Sequence, residues 1–537
     1  MNKYFTLFIV LLAVSLLRPS ISFGQTNKDS SSLVDGNSTL IEFLAADNYN
    51  LKKIDSINYV ILVGKVKIRQ GKTLLYGDSL VLNSTANQLE GFGNIHINDA
   101  DSVHTYSDYL KYMGNTKKAY LRGKVKLTDG KGTLTTDSLD YDVSIKLGHY
   151  TKGGKMVRNK TILKSKEGLY YGITRDAVFR NKVELNDPEN SIVTDTLEYN
   201  TYSQLANFLS PTKIYSGSRI IKTTNGNYNI GTRKGYLYER SSIDDSTYTF
   251  VADEMAIDDS LGLGEFRGNA VYKSKDSLSF DMMANNIKTN KSKSILLATE
   301  LPTLLIKQAK DTLYVSADTL YTGKLTDLKR PQPKARDSVG VLTDTTLNKY
   351  FEAYHHVKIY SDSLQANCDS LFYSLADSTI RLLHKPIIWA SGNQITGDTI
   401  YMFVKNKKPE QLNVIDNAFA INKVDSADFY NQIKGNRLSV WFTDGHISKM
   451  RTKGNGENIY YVLDDAKKFI GLNHSSAQII EVTFKDSAPA KVKWINRFIG
   501  NLTPIRQIQK EQQTLKSFKL WDELRPKSKF DILAPIK

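Results

Sequence analysis

Apolar and polar residues alternate along most of this chain, and a two-residue period predicts β-strands with one face buried. Each run of alternation restarts in the same way. A small or polar residue is followed by Asp, Asn or Gly, then a polar residue, then the first apolar residue of the run. Copies stand at Gly77-Asp-Ser-Leu80, Ser107-Asp-Tyr-Leu110, Thr136-Asp-Ser-Leu139, Thr194-Asp-Thr-Leu197, Ala252-Asp-Glu-Met255 and Ala317-Asp-Thr-Leu320, with weaker ones between and beyond them. The period is about 30 residues, which marks a repeat array. The residues two and four beyond the Asp are both apolar in most copies: Leu80 and Leu82, Leu110 and Tyr112, Leu139 and Tyr141, Leu197 and Tyr199, Met255 and Ile257. Strand geometry places such pairs on one face.

A second strand signal lies between these copies and opens on Gly or Asn: Gly64-Lys-Val-Lys-Ile68, Gly93-Asn-Ile-His-Ile97, Gly123-Lys-Val-Lys-Leu127, Asn181-Lys-Val-Glu-Leu185. It adds Val66, Ile68, Ile95, Val125 and Leu127 to the inward set. The unit therefore reads as strand, turn, strand, turn. The recurring Asp could be taken for a catalytic carboxylate, but Asp, Asn and Gly exchange at this register, as a turn position predicts. Between residues 50 and 490 no sustained helical stripe with caps appears. The expected fold class is all-β, a repetitive antiparallel stack.

At 537 residues the chain exceeds one ordinary core, so an array growing in one direction is favoured. Residues 1–25 carry Lys3, an apolar run from Tyr4 to Leu17, and small residues at Ser22 and Gly24, the pattern of a secretory signal peptide. The run is shorter than the roughly 20 residues that cross a bilayer. The single Cys368 excludes an internal disulfide, and a net charge of +16 points to an acidic partner. Export argues against nucleic acid.

An export signal, a Gly-x-Val-x-Ile strand and an Asp-x-Leu-x-Tyr strand repeated in this way resemble the OstA-like or LptA family of lipopolysaccharide-transport proteins. The resemblance covers Val60 to Gly323 and returns from Phe351 to Trp441. Gly454-Asn-Gly-Glu-Asn-Ile-Tyr-Tyr461, Ile470-Gly-Leu-Asn473 and Ile479-Ile-Glu-Val-Thr-Phe484 are similar to the closing region of the long OstA-like proteins of Bacteroidota. The resemblance implies a periplasmic β-jellyroll, associated with the outer membrane, that shields lipopolysaccharide acyl chains in an apolar groove. It also implies partners: lipid A, the Lpt-type jellyrolls of the inner-membrane complex and outer-membrane translocon, and further copies joined head to tail. No cofactor is implied. The expected groove lining is Val66, Ile68, Leu80, Leu82, Ile95, Leu110, Val125, Leu127, Leu139, Tyr141, Leu197, Tyr199, Met255, Ile257 and Leu320.

The repeat interrupts at residues 324–348, which contain Lys-Arg-Pro-Gln-Pro-Lys-Ala-Arg336 and read as a linker or long loop. The expected division is a signal peptide at 1–25, a flexible lead-in at 26–45, jellyroll repeats at 46–323, the linker, a second β region at 349–503, and a tail at 504–537. Within the tail Gln507 to Lys516 can form one short helix, and fraying is expected there. No catalytic or metal-ligating set is found: of eight His only His355 and His356 adjoin, and strand neighbours point to opposite faces. Two other readings remain open. A structural or adhesive β-array predicts a filled interior, and a β-helix polysaccharide-active enzyme predicts carboxylates clustered outside the repeat register.

Overall fold

The computed structural model describes residues 41–533 except 100, 276–279, 308–311, 329–347, 406–407, 425–427, 465, 467 and 486–487. The expected signal peptide lies outside the described residues. So does most of the lead-in, of which Ile41–Ala45 forms a strand on Ile57–Gln70. Among the described residues forty strands, all paired antiparallel, make one ladder, and the remaining regular structure is five short 3-10 turns. The chain is all-β, as the alternation predicts.

Each long strand is folded sharply at its middle. Pairing breaks between Val63 and Val66, Phe92 and Ile95, Arg122 and Val125, Arg180 and Val183, and Arg267 and Ala270. The two residues skipped at each break have positive φ: Gly93 at 71° and Asn94 at 44°, Asn181 at 63° and Lys182 at 58°. Two consecutive left-handed residues turn the strand onto a second plane, and Gly and Asn tolerate that conformation best. The corners stack above one another, so the ladder is a V with two walls. The Asp of the repeat sits on the facing strand at the same corner. It holds the Asn side chain in several layers, as Asn94 Nδ2 to Asp78 Oδ2 at 2.9 Å and Asn269 Nδ2 to Asp253 Oδ2 at 2.8 Å.

This corrects one expectation. The Gly and Asp signals are bends inside continuous strands, and the chain reverses elsewhere, in tight turns such as Ser84–Asn87, Gly114–Lys117 and Asp129–Lys131. Those turns form the two rims of the V. The sequence shows bends and reversals through the same residue types, so the strand count per repeat is right and the assignment of turns is exchanged.

Residues 324–348 leave the ladder unbroken: Thr319–Gly323 pairs directly with Tyr350–Tyr360, Gly323 opposite Tyr350. Leu325 is buried against Tyr350 and Phe372 on the outer face. Between the walls a single apolar cluster runs from Leu62 to Ile480.

Where fraying is expected, the described residues of the tail, 504–533, are held against the ladder. They run along the outside of one wall as an extended strap, with short 3-10 turns at Ile505–Gln507 and Lys510–Gln513 where a helix was expected. Gln365, Trp389, Gln394, Ile421, Gln432 and Ile459 stand opposite one another in one column across successive strands. The glutamines grip the strap backbone. Gln432 donates to the Gln513 carbonyl and accepts from Leu515 N–H, both at 2.8 Å, and Gln394 does the same with the Lys519 carbonyl and Trp521 N–H, also at 2.8 Å. Gln365 accepts from Arg525 at 3.0 and 2.7 Å. Leu515 is buried against Ile421, Ile459 and Tyr461.

Two expectations follow. Gln394→Ala removes both partners of the strap at one layer, at a cost of about 1–3 kcal/mol, so amide exchange at residues 513–525 accelerates while amides in Tyr430–Thr443 keep their protection. His355 replaces glycine at one corner and hydrogen-bonds Asp369 at 3.1 Å; that bond and the carboxylate charge raise its pKa above the ordinary histidine value. Its contribution to stability is full below that ordinary value and is lost as pH rises through the raised one. An NMR titration of the ring in the wild type and in Asp369→Asn checks this, the variant returning His355 toward about 6.5.

Candidate functional site: the groove between the walls

The inward face of one wall carries a column that alternates large and small side chains. Tyr112 stands opposite Ala119, Ala119 opposite Tyr141, Tyr141 opposite Gly148 and Gly148 opposite Tyr170. The series continues through Ala177, Tyr199, Ala206, Tyr228 and Gly235 to Ile257. A Tyr flanked on both sides by Ala or Gly has room for its ring. At Gly235 the fit is close, since a Cβ there would lie 2.9 Å from Tyr228 Cδ2.

All fifteen expected lining residues point into the interior. Leu80, Ile95, Val66, Val125 and Leu139 are each 1% exposed at the corner side, and Ile68, Leu110, Leu197, Tyr199, Met255, Ile257 and Leu320 are also buried. Leu82, Leu127 and Tyr141 are partly buried and pack on the same cluster. The order along the mouth is uneven. Leu82, Tyr112, Tyr141 and Tyr170 remain partly exposed, whereas Tyr199 and Tyr228 at the same register are 2% exposed.

Where the column is open, a cavity of about 420 Å³ spans the mouth. Its floor is Leu127, Leu134, Tyr141, Met156 and Tyr170. Lys131, Lys146, Arg158 and Arg175 surround it with Asp99, Asp101 and Asp129. A deeper apolar space of about 140 Å³ adjoins it, lined by Ile68, Leu75, Leu89, Ile97, Leu110 and Leu139. A third, of about 170 Å³, lies beyond the middle of the chain among Phe280, Ile306, Leu313, Leu320, Tyr373 and Val404.

The two smaller spaces are lined mainly by apolar side chains, and the largest mixes apolar and aromatic side chains with charged ones. Burial pushes the Tyr141 and Tyr150 phenols up to about 12, so both stay neutral at physiological pH. Burial also pushes Cys368 up to about 12, which leaves the thiol protonated and unreactive. Among the described residues no group of three His, Cys, Asp or Glu is placed to hold a metal ion. His355 and His356 bind different carboxylates, Asp369 at 3.1 Å and Asp318 at 2.9 Å.

Sequence reasoning missed the mouth. Arg158 and Arg175 lie at strand ends beside turns, where basic residues are ordinary. The small residues opposite each Tyr were the available signal, since Ala119, Gly148, Ala177, Ala206 and Gly235 recur at the repeat period.

A family model described as "OstA-like protein" matches residues 38–195 and 180–253. No curated protein matches the sequence. Among solved structures the chain is similar to LptH, the LptA homologous periplasmic component of the conserved lipopolysaccharide transport device from Pseudomonas aeruginosa. Identity is 14%, with 31% of this chain and 81% of that chain covered, and the TM-score is 0.15.

Two outcomes test this geometry. Leu197→Ala, at a site with no exposure, costs about 2–5 kcal/mol in chemical denaturation, whereas Tyr141→Ala, which only widens an existing cavity, costs less. Cys368 resists alkylation at pH 8 in the folded protein and reacts on unfolding; rapid labelling of native protein contradicts its burial.

Proposed function

We propose, from the premise that this chain is an OstA-like protein across residues 38–253, that it shields the acyl chains of lipopolysaccharide on their way across the periplasm to the outer membrane. One observation carries the reading. From Leu127 to Tyr170 the inward apolar face is left partly uncovered beneath a cavity of about 420 Å³, whereas a purely structural stack fills its interior. Each methylene that enters such a slot gains about 0.8 kcal/mol. Four cations around the mouth outnumber three carboxylates, which suits a ligand with apolar chains and phosphate groups, because charge-assisted bonds to phosphate are strongest from guanidinium.

No residue of the groove is assigned a catalytic role in this reading, since its polar groups are rim charges and neutral phenols. The ends of the stack support the partner side of the proposal. Tyr49, Leu51 and Ile54 are exposed on the first strands, as are Phe498, Ile499 and Leu502 on the last. Exposed apolar end strands suit docking onto other jellyrolls or further copies, strand to strand.

Organic extracts of the mature protein purified without detergent should contain lipid A, identified by mass spectrometry. A photoprobe replacing Leu139 should crosslink to purified lipopolysaccharide. The double variant Arg158→Glu, Arg175→Glu should weaken binding about 10- to 100-fold, the equivalent of one or two charge-assisted bonds, while leaving a phosphate-free lipid unaffected. A lipid-free protein that captures no lipopolysaccharide at Leu139 overturns the carrier reading in favour of a structural or adhesive array.

A further inference from the structure

Among the described residues, side-chain ion pairs join the two walls across the mouth of the V near Arg219. Arg219 follows the turn at Gly217 and Ser218 on one rim, and Asp259 closes the strand Glu254–Asp258 on the other. Their side chains form a two-pronged ion pair, Nη1 to Oδ1 and Nη2 to Oδ2, both 2.7 Å. The side chains are only 15% and 13% exposed, so solvent and salt screen the pair little. Tyr228 donates to Asp259 Oδ2 at 3.1 Å from beneath. One layer away a second bridge joins the same rims, Arg233 to Glu189 at 2.6 Å. The Arg233 carbonyl accepts the Asp259 backbone N–H at 2.9 Å, so the two bridges share a backbone link.

Beneath these bridges the interior is full. Phe208, Ile214, Ile221, Tyr228, Ile243 and Phe250 are 0–3% exposed, and the Phe250 and Phe266 rings stack at 3.9 Å. On either side the inward face opens again. Tyr112, Tyr141, Met156 and Tyr170 are partly exposed before this waist, and Tyr272, Ile306, Tyr373 and Ile380 after it. The cavities of about 420 and 140 Å³ fall on the first side and that of about 170 Å³ on the second.

We propose that the groove is two lipid compartments separated by a latched waist, and that Arg219 and Asp259 form the gate between them. The inference rests on the lipid-shielding reading and adds to it a stoichiometry and a barrier. An acyl chain that enters at Leu127 to Tyr170 stops at the waist. To pass toward Phe280 it must part an ion pair whose two charges are almost fully desolvated, which leaves each without a partner unless water or ligand reaches it. Arg219 and Asp259 act by holding the walls together and need no contact with lipid.

The test uses the full mature chain and purified lipopolysaccharide, with aromatic photoprobes replacing Tyr141, Phe250 or Tyr373, and with spin labels replacing Ser218 and Ser260 in a Cys368→Ala background. In the wild type we expect crosslinks at Tyr141 and Tyr373, at least tenfold fewer at Phe250, up to two lipids per chain by native mass spectrometry, and a short, narrow Ser218 to Ser260 distance distribution. Asp259→Asn, and independently Arg219→Gln, should raise crosslinking at Phe250 several-fold and broaden the distances. Equal crosslinking at all three positions in the wild type overturns the gate, as does an unchanged distance distribution in both variants. Absence of crosslinks at every position overturns the carrier reading itself.

Discussion

The fold depends on a recurring backbone constraint: in alternate long strands two consecutive residues in the left-handed region turn the ladder onto a second plane, and the strands between them carry the Asp that faces the bend. A β-strand of L-residues has no smooth route through such a bend, and a non-glycine residue at positive φ costs free energy. Gly93 with Asn94 and Gly123 with Lys124 accept the conformation, and the carboxylate on the facing strand secures it in several layers. Because corners stack on corners, one local geometry generates two walls, a common apolar interior and two rims.

The repeat then lets each layer differ at the mouth without disturbing the corner. Leu80, Leu110, Leu139 and Leu197 are all buried near the bend, where the walls are close and packing decides the residue. Toward the rims the walls are free to separate or meet. The tyrosine column shows this most clearly: Tyr141 and Tyr199 occupy the same register, each between two small neighbours, yet one borders a cavity and the other is sealed. What differs is the rim above them, where Arg233 reaches Glu189 and Arg219 reaches Asp259.

The C-terminal strap solves a different problem. A wall has an outer face as well as an inner one, and in the second half that face carries Trp389, Phe419, Ile421 and Ile459. Covering them with an extended segment removes apolar surface from water. An extended segment laid across strands cannot join their ladder, so its backbone groups need side-chain partners. Gln394 and Gln432 supply one donor and one acceptor each, which a glutamine can do at a single position and an aliphatic residue cannot.

The sequence by itself determined the fold class, the repeat length, the inward face and the family resemblance, because each is written locally: alternation fixes which side chains share a face, and Gly, Asn and Asp mark where the backbone must bend. It could not tell a bend from a reversal, since both use the same residues. Only the tertiary structure decided where the mouth is open. Arg219 and Asp259 are 40 residues apart in sequence and lie at unremarkable strand ends. Their pairing depends on how far two walls have converged, a property of all the layers beneath them. The strap was illegible for the same reason: Gln365, Gln394 and Gln432 become a column only when the strands between them are in register.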